Sequence, residues 1–276
     1  VEELSFRLVL FYLFILIGFL VARFYSRSEA LNKVVSSALI YILMPLLIID
    51  SMLTLTSEAF ENATAVILVS VLVHVIGLVV MIARLRGKEM ERTTKGAIYL
   101  CSTFNNAMFI PIPLVLMLFG EAGIPIVVLF SITQMLLLAT AGAFIASSYG
   151  GADVDIRAIL RKVLLFPPFI AAILGIFLAF SGIELHPLVV TGIDLTGIAA
   201  TYLALFSVGL GLGAQFSLSG FKDAVEPVIA RQVIVPLVIA LLLIALSLPD
   251  LTTDVLLVQA LMPSAVFTVA YSTTFR

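Results

Sequence analysis

The stretch Phe104-Asn105-Asn106-Ala107-Met108-Phe109-Ile110-Pro111-Ile112-Pro113-Leu114 lies inside an otherwise apolar run over residues 95–119. Each proline lacks an N–H and clashes with the turn before it, so a regular helix does not pass through this segment undisturbed. The run is longer than the about 20 residues that cross a bilayer. In lipid, carbonyls freed by a break need water, side chains or a ligand. Read this way, 95–119 is a membrane helix interrupted near mid-depth, and the rest of the chain can be placed around it.

The composition agrees. Of 276 residues, 62% are hydrophobic and 12% charged, with a mean hydropathy of +1.23. Soluble domains run about 45–50% apolar and about 25% charged. This excludes a large soluble domain, a disordered chain and, with a net charge of −2, a nucleic-acid binder. The single Cys101 rules out an internal disulfide, and two histidines do not make a usual zinc site. With no Trp, an aromatic belt would rest on Phe and Tyr. Apolar stretches bounded by charges or Gly/Pro clusters predict an all-α integral membrane protein with spans at 6–22, 34–53, 64–83, 95–119, 123–146, 163–181, 188–212, 228–248 and 252–275. The first span is not expected to be a cleaved signal, because Glu2 and Glu3 stand where a basic region belongs.

Charge then orients the spans. The loops after spans 1, 3, 5 and 7 hold Arg23, Arg27 and Lys33; Arg84, Arg86, Lys88, Arg92 and Lys95; Arg157, Arg161 and Lys162; and Lys222. That is twelve of the 15 basic residues, while the alternate loops carry none and hold Glu58, Glu61, Glu121, Glu184 and Asp250. The positive-inside rule places the N-terminus outside and the odd-numbered loops in the cytoplasm, in a multi-pass protein of the cell membrane. Arg231, at the cytoplasmic start of span 8, is expected to snorkel to the interface, the alternative being a role in substrate binding.

Span 9 repeats the oddity of span 4, with Met262-Pro263-Ser264 in its middle; Pro263 follows Asn106 by 157 residues. The same offset lays spans 1–4 on spans 6–9. Five spans per repeat is odd, so the second copy enters from the opposite face, giving two inverted repeats, 1–150 and 151–276. The register predicts a tenth span, the counterpart of span 5, beyond Arg276. Paired breaks of this kind point to a binding site near the bilayer midplane. The half-helix after each break offers free N–H groups and a positive dipole end to an anion. Asn105, Asn106 and Ser264 can satisfy loose backbone or grip a polar ligand. Pro45 and Pro236 are read as plain kinks.

The run Asn106 to Pro113-Leu114, followed by Phe119-Gly120-Glu121-Ala122-Gly123, resembles the fourth-helix signature of the auxin efflux carrier family. That pattern is an Asn, Pro-Leu seven residues on, then a Gly-x-x-Gly turn. Leu31-Asn32-Lys33 leading to Pro45, Phe206-Ser207-Val208-Gly209 and Met262-Pro263-Ser264-Ala265 resemble its second, seventh and ninth helices. Pro111 replaces a usual glycine, and Pro167-Pro168 stands where Asn-Pro is common. The resemblance implies ten helices, crossing broken helices 4 and 9, a scaffold of spans 1, 2, 6 and 7, a transport bundle of spans 3–5, 8 and 9, and a homodimer. It also implies carriage of small organic anions. By it, Asn106, Pro111 and Pro113 form the first crossover, Pro263 and Ser264 the second, and Gln134 is a polar residue of the site.

Other polar residues in the spans are weighed in the same way. Asp50 and Asp194 hold equivalent places in the two repeats and are candidates for coupling to a proton or cation, or are wetted span ends. Gln259, one turn before Pro263, can face the same cavity. His74 is expected to pair with a neighbouring helix, Cys101 to be a small buried filler, and Asn62-Ala63-Thr64 matches a glycosylation pattern. The leading expectation is a secondary carrier of a small carboxylate, working by elevator-type alternating access, needing no cofactor and no buried cation to neutralise its substrate, with coupling to H+ or Na+ open. The alternative is a sodium-coupled bile-acid-type anion symporter. No enzyme motif is present: an intramembrane hydrolase would need HExxH, a GxGD-like pair or a nucleophile with its base.

Overall fold

The computed structural model describes residues 2–53, 61–150, 155–181, 187–215 and 221–265. Glu58, Glu184 and the second half of span 9 lie outside them, as does the side chain of Asp194. Among the described residues the chain is all-α, with no strand. In chain order the helices are α1 (Glu2–Phe24), α2 (Ser28–Leu53), α3 (Ala63–Arg84), α4 (Arg92–Thr103), α5 (Pro111–Phe119), α6 (Glu121–Gly150), α7 (Ile156–Leu164), α8 (Pro167–Ser181), α9 (Pro187–Gln215), α10 (221–246) and α11 (Asp250–Leu261). Ser28–Leu53, Ala63–Arg84, Glu121–Gly150, Leu195–Ala214 and Val225–Leu246 are each long and apolar enough to cross a membrane. Phe24, Tyr41, Phe144, Phe177 and Ile244 stand exposed on their faces, as side chains meant for lipid do and those of a water-soluble protein rarely do.

Two differences from the expected spans have local causes. Span 6 does not begin at 163: residues 156–164 form a separate amphipathic helix, α7, and α8 starts at Pro167. Pro167 bars the preceding residue from helical geometry, so the chain turns there. Asp155 Oδ1 starts α7 by accepting the N–H groups of Arg157 and Ala158 at 2.9 and 3.1 Å. Pro45 and Pro236 are more than kinks. Each follows by two residues the end of a π-turn, Leu39–Leu43 in α2 and Ala230–Ile234 in α10. A missing N–H shifts the hydrogen-bond ladder, and the widened turn absorbs the mismatch. A third π-turn, Leu138–Gly142 in α6, contains Thr140, whose hydroxyl donates to Leu136 O and Leu137 O.

The chain divides into two compact units. The first holds residues 1–57, 108–128 and 165–217. Its core contact is α1 along α9, where glycines let the backbones close up. A Cβ at Gly209 would lie 2.1 Å from Ile15 O, and one at Gly18 would lie 2.1 Å from Phe206 O. Gly209 and Gly213 form the small-xxx-small spacing typical of packed membrane helices. Beside them Ser207 donates to Asn32 Oδ1 at 3.1 Å. Without a hydrophobic drive between helices in lipid, close packing and such bonds join them.

The second unit holds residues 58–107, 129–164 and 218–276. In it α3 packs on α4, and α4 packs on the Ala143–Gly150 end of α6. Glu226 near the start of α10 is bound by Arg84 and Lys88 at the end of α3. Arg92 at the start of α4 donates to Ser148 O near the end of α6. The end of span 3 thus meets the start of span 8, and the start of span 4 meets the end of span 5, as alternating crossings require.

Candidate functional site

The break in span 4 falls where its residue types demand it. Helix α4 ends at Thr103, Phe104 turns extended, and helix resumes at Pro111. The prolines open the second half rather than interrupt the first. Pro111 and its turn sit at the helix start, where no N–H is needed and the fixed φ suits the helix. Helix α11 likewise ends at Leu261, with Met262 extended.

Within the second unit the two extended pieces pair antiparallel, Asn105 against Ser264. Asn106 N–H donates to Pro263 O at 2.7 Å, and Ala265 N–H donates to Phe104 O at 2.9 Å. Each segment also caps the helix leading into the other. Ser264 Oγ donates to Cys101 O in the last turn of α4 at 2.6 Å, and Asn105 Nδ2 donates to Gln259 O in the last turn of α11 at 2.7 Å. The last carbonyls of a helix lack intrahelical donors, and here each set is served by the opposite strand of the crossover.

The remaining carbonyls are served from the flanks. Gln134 Nε2 donates to Asn105 O at 2.7 Å, Ser131 Oγ to Ala107 O at 2.7 Å, and Gln259 Nε2 to Ala107 O at 3.1 Å. Ser131 and Gln134, three residues apart on α6, share one helix face. Gln134 Oε1 faces His74 Nε2 at 2.8 Å, and His74 Nδ1 faces Ser70 O at 2.5 Å. Both acceptors are carbonyl-type oxygens, so the ring makes both bonds only with both nitrogens protonated. His74 is packed beside the Phe104 and Phe130 rings.

The structure brings together Asn105, Asn106, Gln134, Gln259, Pro263 and Ser264 in one hydrogen-bonded network, in which the four amide residues are buried, Ser264 is half-buried and Pro263 is exposed. Asn105 and Ser264 take the backbone-satisfying of their two expected roles. Their donors are spent, and the buried oxygens Asn105 Oδ1 and Gln259 Oε1 have no partner among the described residues. Pro111 and Pro113 belong to the first unit, as does the buried Asp50; Asp194 lies on α9 with its side chain outside the described residues. Ser131 and Ser70 were not singled out by sequence; their signal is a lone hydroxyl in an apolar run. Arg231 corrects an expectation outright. It does not snorkel: it is 1% exposed, and it stands on the π-turn Ala230–Ile234, which packs against α3, α4 and α11.

A helical membrane chain whose broken helix, α4 and α5, pairs its extended break with the extended segment after α11 has the discontinuous-helix arrangement found in transporters. The model of the membrane transport protein family matches residues 4–275, and the chain belongs to this family, the auxin efflux carriers. It is also 25% identical over 271 residues, 95% of this chain and 86% of the relative, to the uncharacterized transporter MJ1031 of Methanocaldococcus jannaschii. The chain is therefore a multi-pass membrane transport protein.

Proposed function

We propose that the protein is a secondary carrier for a small organic carboxylate, with its binding site at the crossover of the second unit. The observation that supports this reading is the reciprocal pairing of 104–107 with 262–265, irregular backbone within a membrane fold with its carbonyls engaged. Such backbone survives at membrane depth only where protein or a cavity shelters it, and in carriers it marks the binding site.

In this reading the second unit carries the substrate and the first, built on spans 1, 2, 6 and 7, is the scaffold of an elevator. The two inverted repeats supply one broken helix each. The N-terminus faces outside, the basic loops face the cytoplasm, and the protein works as a homodimer in the cell membrane. The test is uptake of labelled malonate into proteoliposomes. Wild-type protein is expected to take it up, and Asn106→Ala to lose most of that uptake. Unchanged uptake by Asn106→Ala would remove the crossover from the mechanism. Replacing sodium by choline, and imposing a pH gradient, assigns the coupling ion in the same assay.

A further inference from the structure

Arg231 differs from every other basic residue described. It is the largest fully buried side chain, and Nε, Nη1 and Nη2 all lack a hydrogen-bond partner among the described residues. A guanidinium does not shed its proton in a protein, so burial leaves a bare positive charge, which is heavily penalised without a partner. Among the described residues the unit supplies none. Its described carboxylates Glu61, Glu89, Glu91, Asp155, Asp250 and Asp254 are exposed, and Glu226 is held by Arg84 and Lys88.

The place of this charge in the fold is also specific. It stands on a π-turn, an irregularity frequent at functional sites. The π-turn packs against α3, the helix that carries His74, and His74 connects through Gln134 to the Asn105 peptide of the crossover. Of the other buried polar atoms left unpartnered in this unit, Asn105 Oδ1 and Gln259 Oε1 are acceptors and Thr103 Oγ1 is a hydroxyl. Only the guanidinium is a charged donor.

We propose that Arg231 binds a carboxylate of the transported anion, so that the ligand brings the negative charge that no described residue of this unit offers it. The inference rests on the carboxylate-carrier reading and overturns the expectation that no buried cation is needed. The guanidinium fork meets the two oxygens of one carboxylate in parallel, and a buried, water-free pair of this kind is selective for planar anions over neutral amides.

The test uses the full chain in detergent and in proteoliposomes, with malonate, propionate and neutral malonamide as probes. For wild-type protein, malonate and propionate raise the melting midpoint and malonamide does not. Arg231→Met is expected to bind malonate roughly 10- to 100-fold more weakly. It is also expected to melt above wild type when no probe is present, since an uncompensated buried charge has given way to an apolar side chain. Arg231→Lys, with the charge but not the fork, falls between the two. Malonate binding by Arg231→Met at wild-type strength, or a ligand-free midpoint below wild type, overturns the assignment while leaving the carrier reading intact. Wild-type protein that neither binds nor transports any carboxylate overturns both.

Discussion

Asn105 Nδ2 donates to Gln259 O at 2.7 Å, the shorter of the two bonds that carbonyl accepts, the other coming from Met262 N–H at 3.3 Å. Asn105→Ala leaves that carbonyl only its longer bond, at an expected loss of about 0.5–1.5 kcal/mol of stability. Asn105→Asp should cost at least as much, since a carboxylate oxygen then faces that carbonyl. Thermal melting of the two variants beside wild type checks this, and a neutral Asn105→Asp would show that the bond does not hold the crossover. At this scale much was legible: two adjacent amides beside a proline pair, and a second break in register, already named the positions. Which donor meets which carbonyl was not, because Ser264 and Cys101, or Asn105 and Gln259, lie more than 150 residues apart in the chain.

Helix against helix, glycine decides how close the backbones come. Gly209 touches α1 backbone, whereas Gly211, two residues on, has nothing within 4 Å of its Cβ position. Gly209→Val is expected to destabilise by at least the about 1–3 kcal/mol typical of overpacking, and Gly211→Val to be tolerated. Melting midpoints and expression yield read the difference; equal losses would mean that backbone entropy, not the α1 contact, sets the cost. The GxxxG spacing is visible in sequence, but the partner helix is not. The π-turns lie further from view. Pro45 and Pro236 announce a disturbed ladder, yet whether it becomes a kink or a widened turn depends on what the neighbouring helices accept.

For the molecule as a whole, the distribution of basic residues predicts an orientation that can be tested directly. Cys101 is the single cysteine, so Cys101→Ser gives a background free of thiols. In it, Glu121→Cys should react with a membrane-impermeant maleimide on intact cells, and Arg86→Cys only after permeabilisation. Both positions are exposed, so the opposite pattern would invert the assigned topology. The pairing of Arg84 and Lys88 with Glu226, which joins the ends of spans 3 and 8, fits the alternation that this orientation assumes.

The sequence by itself determined the all-α membrane class and the places near Phe104 and Met262 where the chain leaves helix, and it predicts the side of the membrane on which the basic loops fall. These follow from hydropathy, proline chemistry and charge, which act locally and need no knowledge of neighbours. Only the tertiary structure decided that the broken ends cap one another, that Gln134 links His74 to the crossover, and that Arg231 is buried. A long basic side chain near a span end can reach water or turn inward at similar local cost. The choice is made by the helices packed around it.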